Sequence, residues 1–384
     1  MTPADPQITR DAAELAESAP AELARLVDIS SPSGDVAGAQ AAVAVCVSLL
    51  PPGAVVERPA CSTAGSAPDL LGTVTGSGRR RVLLLGHIDT VVSHDAHQPL
   101  RADGDRLYGT GTADRKGGDI LALGVARALA RHPQDFAELA VLLVCDEEWR
   151  VAPFVYSHPA HAAGRFAGYD ACLCFEAGQL TPEGDEAVVV RRKAAGTLRV
   201  QATGRASHSG SAPDRGRNAL LALARTADAV AALHDPTGPD QLSVVPTVMR
   251  SGEAFNVVPA AGELIFDLRS RRLEAFDDVM AAIVPERDEV TLEARMERKW
   301  PAMDSERATA QLLADASALA GRPVVGIARG GASDASHFAD TIALTVDGLG
   351  PRGGGAHTPK EFVLRDALHR RAEVALSIAR AALA

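Results

Sequence analysis

The sequence predicts an α/β protein into which a smaller α+β domain is inserted, and three observations carry that prediction. Short apolar runs have the character of strands buried on both faces of a sheet, and they lie at residues 81–86, 139–145 and 171–175. These runs alternate with helical stretches, which favours mainly parallel strands. After Val190 the pattern changes to a mixture of strands and helices typical of a small α+β sandwich.

The elements follow from local periodicity. Residues 12–26, 35–50 and 118–131 are predicted to be helices of the larger domain. Residues 197–202 alternate as a half-exposed strand does, and this strand opens the inserted domain. The other elements predicted there are helices 218–233 and 274–284 and strands 243–250, 263–268 and 290–296. A chain of 384 residues is too long for one ordinary core, so we expect one domain from 1–192 and 303–384 and another from 193–302.

Composition excludes several classes of protein. The formal net charge is −10, and without a long basic run the chain lacks the field that attracts nucleic acid or anionic lipid. The short cluster Arg191–Lys193 is interpreted as a solvated strand end. No apolar run approaches the ~20 residues that span a bilayer, and no signal peptide is visible, so we expect a soluble cytoplasmic protein.

The five cysteines are odd in number and irregularly spaced, which does not indicate a disulfide framework. Cys172 and Cys174 lie in an apolar run and are interpreted as small buried hydrophobic residues rather than ligands.

Histidines and carboxylates cluster just after the predicted strands, where sites of open α/β sheets form. His87 and Asp89 follow the first run, and Glu147 and Glu148 follow the second. The other candidates are Glu176 after the third run, Asp114 directly before a helix and His357 in a glycine-rich segment. Each alone could be an ordinary polar residue, but their joint occurrence at successive strand ends favours a site.

Two imidazoles and several carboxylates suit Zn²⁺, with Co²⁺ or Mn²⁺ as alternatives. Two such ions can share one bridging carboxylate and hold a water whose pKa falls towards ~7. A further carboxylate off the metal is then needed to accept the proton from that water. Two adjacent glutamates can divide these tasks, one as ligand and one as base.

Three motifs resemble those of the dinuclear-zinc family that includes aminoacylase, acetylornithine deacetylase, succinyl-diaminopimelate desuccinylase and bacterial glutamate carboxypeptidase. The first is Gly-His-Ile-Asp-Thr-Val at 86–91. The second is Arg-Leu-Tyr-Gly-Thr-Gly-Thr-Ala-Asp-Arg-Lys-Gly-Gly at 106–118, and the third is Asp-Glu-Glu at 146–148. The resemblance extends in order from about residue 20 to the C-terminus. It implies a zinc-hydrolase three-layer α/β/α catalytic domain with an inserted α+β lid and dimerisation domain.

The resemblance also implies residue roles. His87 and Glu176 would bind one zinc, Glu148 and His357 the second, and Asp114 would bridge both. Asp89 would orient His87. Glu147 would be the general base that activates the bridging water and later protonates the leaving amine. The peptide bond between Asp114 and Arg115 is expected to be cis.

The inserted domain carries a further motif, Gly-Arg-Ala-Ser-His-Ser-Gly at 204–210. By resemblance, His208 would reach into the active site of a partner subunit and donate to the developing oxyanion, which implies a homodimer. Arg269 would pair with a substrate carboxylate, and Asn256 also matches a family position. The backbone at Gly330 and Gly331 would help hold the same carboxylate.

The chain departs from the family pattern after Glu148, where Trp149 and Arg150 stand in place of small residues and where His158 and His161 are extra. These differences are expected to affect the substrate pocket more than the metal chemistry. The leading hypothesis is hydrolysis of an N-acyl amino acid or a dipeptide-like amide with a free carboxylate. An aminopeptidase of the same fold, which recognises a free amine, and a catalytically silent metal- or ligand-binding homologue are the alternatives.

Overall fold

A computed structural model describes residues 3–149 and 158–384 of the chain, except for the side chain of Trp149. Arg150 and the Trp149 side chain, which the sequence marks as departures from the family pattern, therefore lie outside the described part.

The first part of the chain supplies most of the larger domain. Its helices are α1 (Pro6–Val27), α2 (Val36–Ser48), α3 (Gly117–Ala130) and α4 (Pro159–Ala162). Its strands are β1 (Val55–Glu57), β2 (Leu70–Thr75), β3 (Arg81–His87), β4 (Arg101–Asp103), β5 (Arg106–Tyr108), β6 (Glu138–Val144), β7 (Ala171–Cys174), β8 (Gln179–Leu180) and β9 (Glu186–Arg192). Asp5 and Asp35 cap α1 and α2, because each carboxylate accepts backbone N–H groups of the first turn.

The inserted part and the C-terminal part follow in order. The inserted part contains β10 (Ala194–Thr203), β11 (Ser207–His208), α5 (Ala219–Ala231), β12 (Ser243–Ser251), β13 (Val257–Val258), β14 (Ala261–Ser270), α6 (Ala275–Ala281), β15 (Glu286–Arg287) and β16 (Val290–Trp300). The C-terminal part contains β17 (Met303–Asp304), α7 (Glu306–Ala320), β18 (Val324–Arg329), α8 (Ala335–Phe338), β19 (Leu344–Val346), β20 (Gly353–Gly354), β21 (Phe362–Leu364) and α9 (Arg365–Leu383).

The central sheet has the strand order β1, β2, β6, β3, β7, β19. Strands β6, β3, β7 and β19 are parallel neighbours, whereas β2 runs antiparallel to β6 and β1 antiparallel to β2 at one edge. The prediction of a mainly parallel sheet is confirmed. This order places the carboxyl ends of three of the predicted strands side by side.

Alternate side chains of β3 pack on opposite faces of this sheet. Val82 and Leu84 belong to a buried cluster that includes residues of α1, α3 and α9. Leu83 and Leu85 belong to a second cluster, which contains Phe338 of α8. Burying such an aliphatic side chain stabilises the fold by roughly 1.5–3 kcal/mol. Apolar packing on both faces explains the continuous apolar runs, and the predicted α/β fold with its covered sheet is confirmed.

The inserted part forms its own antiparallel sheet in the order β12, β14, β10, β16, β15. Its buried core consists of residues from 194–292, including Leu198, Phe266 and Phe276. This separate core supports domain boundaries at 192/193 and 302/303, which we keep as a proposal.

Arg192 corrects one sequence interpretation, because it lies at the end of β9 with only 7% of its surface exposed. Its Nε lies 2.6 Å from Oδ2 of Asp347, which is fully buried. The interpretation of Arg191–Lys193 as a solvated strand end is therefore wrong for Arg192. The neutralising carboxylate comes from the segment after β19, far away in the sequence.

Two smaller expectations can be compared with the structure. Cys172 and Cys174 are fully buried, as predicted, and all five cysteines are free thiols. None of the described helices combines enough length with enough apolar character to cross a bilayer.

Candidate metal centre and active site

The parallel strands of the central sheet deliver the candidate residues to one edge. Strand β3 ends at His87, and Glu147 and Glu148 follow the end of β6 after two further residues. Glu176 lies two residues beyond the end of β7. Because β6, β3 and β7 are adjacent, their carboxyl ends form a single crevice, as expected in open α/β sheets.

Asp114 reaches this crevice on the loop that precedes α3. The peptide bond between Asp114 and Arg115 is cis, which confirms the expectation drawn from the resemblance. The loop is held by the carboxylate of Glu361, which accepts the backbone N–H groups of Gly111, Ala113 and Asp114, each at 2.8 Å. This contact joins segments about 250 positions apart and fixes the backbone from which Asp114 projects.

The two candidate histidines contact opposite oxygens of the Asp114 carboxylate. His87 Nε2 lies 3.2 Å from Asp114 Oδ1, and His357 Nε2 lies 2.8 Å from Asp114 Oδ2. One further carboxylate lies near each imidazole: Glu176 Oε1 is 4.0 Å from His87 Nε2, and Glu148 Oε1 is 3.0 Å from His357 Nε2. The structure thus brings together all five residues that the sequence marked as metal ligands.

His357 is held in an unusual backbone conformation. Its φ is +63°, a left-handed value that is uncommon for a residue other than glycine. Such strain persists only where surrounding structure enforces it, and it is often found at functional sites. Here it accompanies contacts of the imidazole with Asp114 and Glu148.

The electrostatics of the cluster fit a cation site. Burial lowers the pKa of His87, but hydrogen bonds with Asp114 and Asp89 outweigh it and raise the pKa well above the ordinary value. Hydrogen bonds to Asp114 and Glu148 raise the pKa of His357 to about 10. The carboxylates around both imidazoles therefore favour positive charge at this site. Protons on the imidazoles supply that charge in the absence of metal, and divalent cations would take their place. Ligand atoms of His87, Asp114 and Glu148 already lie within 4.8 Å of one another.

Glu147 differs from its neighbour Glu148. Burial raises the pKa of the Glu147 carboxyl well above its ordinary value, and the nearby Asp334 and Glu148 add to the effect while His87 opposes it. A carboxyl with a raised pKa in a site of this kind is a candidate for proton transfer.

Asp89 connects the first motif with the third. His87 Nδ1 lies 3.0 Å from the backbone carbonyl of Asp89 and 3.5 Å from its Oδ1. The Asp89 carboxylate accepts the backbone N–H groups of Glu147 and Glu148 at 3.0 and 3.1 Å and the Ser33 hydroxyl at 2.7 Å. Asp89 therefore positions both glutamates as well as His87.

Arg115 is a buried residue at the candidate metal site, and the sequence analysis assigned it no role there. Its Nη1 lies 2.5 Å from Glu176 Oε1 and its Nη2 donates to the carbonyl of Leu85. The guanidinium therefore orients Glu176. The sequence analysis did not identify Glu361 or Ser33 either. Glu361 lies four residues after His357, so its position was a usable signal, whereas nothing nearby in the sequence marks Ser33.

The lid motif presents His208 to solvent. Nδ1 of His208 accepts the backbone N–H groups of Gly210 and Ser211 at 3.1 and 3.2 Å. A ring nitrogen that accepts two N–H groups carries no proton, so the proton of the neutral ring is on Nε2, which is then a donor. The Ser209 N–H also donates to the carbonyl of Asn256 at 3.0 Å, so the two lid segments lie together.

Arg269 is engaged within its own strand, where Nε and Nη2 each lie 3.0 Å from an oxygen of Asp267. Gly331 lies beside Arg192, whose Nη1 donates to its carbonyl at 2.8 Å, and Gly330 is exposed. Within 3–149 and 158–384, no hydrogen bond or ion pair joins His208, Asn256 or Arg269 to the cluster of five candidate ligands. The structure of one chain therefore does not bring the lid residues to that cluster.

The fold and the site together define a metal-dependent hydrolase. The sequence profile described as peptidase family M20/M25/M40 matches residues 83–381. The chain belongs to this family.

Two relatives illustrate the breadth of the match. Carboxypeptidase G2 from Pseudomonas sp. (strain RS-16) is 30% identical over 366 residues, covering 91% of this chain and 85% of that protein. Succinyl-diaminopimelate desuccinylase from Xanthomonas campestris pv. campestris (strain B100) is 29% identical over 317 residues, covering 77% of this chain and 82% of that protein.

Among solved structures, aminopeptidase PepT from Bacillus cereus ATCC 10987 superposes with a TM-score of 0.75 at 18% identity, covering 96% of this chain and 98% of that chain. At that identity the superposition supports the fold alone.

Proposed function

We propose that this enzyme hydrolyses the amide bond of an N-acyl amino acid or a dipeptide-like substrate that carries a free carboxylate. The observation that carries the proposal is the Asp114 carboxylate held between two imidazoles, with Glu147 on the adjoining loop. One relative is named a carboxypeptidase and another a desuccinylase, and both names support hydrolysis of this kind.

The residues at the site would hold two cations that share Asp114. His87 and Glu176 lie on one side of that carboxylate, and Glu148 and His357 lie on the other. Nitrogen and carboxylate donors fit Zn²⁺, with Co²⁺ or Mn²⁺ as alternatives. When bound, such ions lower the pKa of a water molecule and polarise the carbonyl of the substrate.

Glu147 would act as the general base and then as the general acid. Its raised pKa suits a carboxyl that takes a proton from the attacking water and delivers it to the leaving nitrogen. Asp89 keeps the carboxylate in place, because it accepts the backbone N–H of the same residue.

The lid would complete the site in a homodimer. His208 has a donor on Nε2 that would stabilise negative charge developing on the carbonyl oxygen in the partner subunit's site. Arg269 would bind the carboxylate of the substrate bidentately, and the backbone at Gly330 and Gly331 would help hold the same group. Asn256 would also contact the substrate. This arrangement makes residues 193–302 a lid and dimerisation domain.

We also keep a cytoplasmic location as a proposal, which the five free thiols support.

The direct test combines metal analysis with a substrate panel. The purified enzyme, loaded with zinc, is assayed on N-acetyl amino acids, glutamate-ended dipeptides and peptides with a free amine. Two equivalents of metal and turnover of carboxylate substrates are expected. Two bound metals without turnover of any panel member would instead indicate the catalytically silent homologue.

One observation favours the aminopeptidase alternative, because Asp267 already occupies the edge of the Arg269 guanidinium formed by Nε and Nη2, one of the edges through which a carboxylate could bind. Arg269→Ala separates the two readings, with Arg295→Ala on the same sheet as its control. Under our proposal only Arg269→Ala raises KM for carboxylate substrates, by about tenfold or more. Unchanged kinetics in Arg269→Ala, together with a preference for free-amine peptides, would establish the aminopeptidase.

A further inference from the structure

A cavity of about 240 Å³ lies where the chain crosses between the two proposed domains. Since a water molecule occupies about 30 Å³ of the liquid, the cavity has room for a small ligand with some of its hydration. We name it the hinge cavity. The charged side chains that line it are Arg191, Arg192, Lys193, Arg271, Asp304 and Arg329.

Five of these six charged residues are cationic, in a chain whose formal net charge is −10. Three carboxylates compensate them in part. Arg192 is tightly paired with Asp347 at 2.6 Å, and Arg191 lies 3.1 Å from Glu306. Arg271 is only loosely paired with Asp304, at 3.8 Å. Among the residues that the structure describes, five cations against three carboxylates leave an excess of two positive charges around the cavity.

Within residues 3–149 and 158–384, the two least compensated cations, Lys193 and Arg329, have only backbone carbonyls as hydrogen-bond partners. Lys193 Nζ donates to the carbonyl of Gln241 at 2.9 Å, and Arg329 Nη1 donates to the carbonyl of Ala177 at 3.4 Å. A carbonyl acceptor leaves the positive charge unneutralised, and each group has further N–H donors to offer. Together with Arg271 they place three donor groups around one small space.

These cations come from both sides of the hinge. Arg271 follows β14 of the lid sheet, and its backbone N–H donates to the carbonyl of Asp240 in the lid. Arg329 ends β18 of the other domain. A ligand between them would therefore contact both domains at once. Arg329 also contacts the backbone next to a candidate ligand, since its partner Ala177 is the residue after Glu176.

We propose that the hinge cavity binds an oxyanion group, which bridges Lys193 and Arg271 of the lid and Arg329 of the catalytic domain. Arginine favours carboxylates and tetrahedral oxyanions, because its fork of N–H donors matches their paired oxygens. The group can come from a free inorganic oxyanion or from a second acidic group on the substrate. The second source rests on the hydrolase function proposed above, whereas the first does not.

The first arm of the test uses inorganic sulfate, measured by isothermal titration calorimetry on the metal-loaded enzyme at constant ionic strength, because salt screens exposed charges. Sulfate affinity should fall about tenfold or more in Arg271→Ala and in Lys193→Ala. Arg272→Ala is the matched control. It removes the same charge from the neighbouring position, but Arg272 is paired with Asp240 at 2.7 Å and does not line the cavity.

The second arm compares N-acetylglutamate with N-acetylglutamine, which differ in the charge of the side chain. If the cavity takes an acidic group of the substrate, Arg271→Ala should lower the kcat/KM ratio of the acid to the amide by about tenfold, and Arg272→Ala should leave it unchanged. Weakened sulfate binding with an unchanged ratio would identify a free oxyanion as the ligand.

The proposal is overturned if Arg271→Ala and Lys193→Ala both match Arg272→Ala in sulfate affinity and in substrate ratio. Absence of turnover for every N-acyl substrate would count against the proposed function only, because the sulfate arm does not depend on hydrolysis. Circular dichroism and thermal unfolding of the variants would show that each remains folded.

Discussion

The Asp89 carboxylate accepts the backbone N–H of Glu147 at 3.0 Å, so the residue proposed to orient a metal ligand also holds the proposed base. Its second oxygen accepts from Glu148 at 3.1 Å. Because β3 and β6 are adjacent parallel strands, one carboxylate after β3 can reach the loop after β6. The side chain of Asp89 therefore positions the proposed base Glu147 and the proposed ligands His87 and Glu148 together.

Asp89→Asn should disturb both functions. The amide has the shape of the carboxylate, but its NH₂ group would face backbone N–H donors where an acceptor is required. We expect about a 10–100-fold loss in kcat/KM or in metal affinity, the usual cost of losing such a supporting contact. Activity and metal content are measured together. Ser33→Ala, which removes only one donor to Asp89, should have a clearly smaller effect.

Glu147→Gln should retain its metal and lose its activity. The amide cannot accept a proton, so kcat should fall by about 10²–10⁴-fold or more while bound metal remains at the wild-type level. Glu148→Gln is the matched control, since loss of a proposed ligand should lower metal content. Retention of most of the activity in Glu147→Gln would show that another group is the base.

The pair formed by Arg192 and Asp347 should make stability depend on pH. Burial raises the pKa of Asp347, but the Arg192 guanidinium and the Ser333 hydroxyl outweigh it and hold the pKa below the ordinary value. A depressed carboxyl pKa stabilises the fold above the unfolded-state pKa of about 3.9, and that stabilisation is lost as the pH falls through the folded-state pKa.

Asp347→Asn should therefore lower the free energy of unfolding by about 3–5 kcal/mol near pH 7, because it leaves Arg192 buried without its partner. The difference from the wild type should shrink below about pH 4. Urea unfolding at several pH values measures it. Asp366→Asn removes an exposed carboxylate that lies 3.6 Å from Arg352 and should cost at most about 1 kcal/mol. A pH-independent difference for Asp347→Asn would contradict the prediction.

Hybrid dimers test whether His208 acts in the partner subunit. His208→Ala and Glu147→Gln should each be nearly inactive as homodimers. Mixing them with subunit exchange should restore about a quarter of wild-type activity, because half of the dimers are hybrids with one intact site each. A mixture that stays inactive, despite subunit exchange shown with labelled chains, would place His208 outside the partner's site.

Local patterns in the sequence predicted the central strands to within about one residue. Strand β3 was predicted at 81–86 and is found at Arg81–His87, and β6 was predicted at 139–145 and is found at Glu138–Val144. A strand buried on both faces must be apolar throughout, and such a run is visible without knowledge of its neighbours. Strand β2, which mixes leucine, glycine and threonine, gave no such signal and was missed.

The residue types and their positions predicted which side chains come together at the candidate site, because a ligand must carry nitrogen or oxygen donors wherever it lies. Only the tertiary structure decided how they are held. Glu361 supports the loop of Asp114 across about 250 positions, and Asp347 neutralises Arg192 across 155. Such pairs depend on strand order and on helix packing, which bring distant segments together, so no local pattern encodes them. The hinge cavity has the same origin, because the fold brings Arg271 and Arg329 to the cluster at 191–193 from distant parts of the sequence.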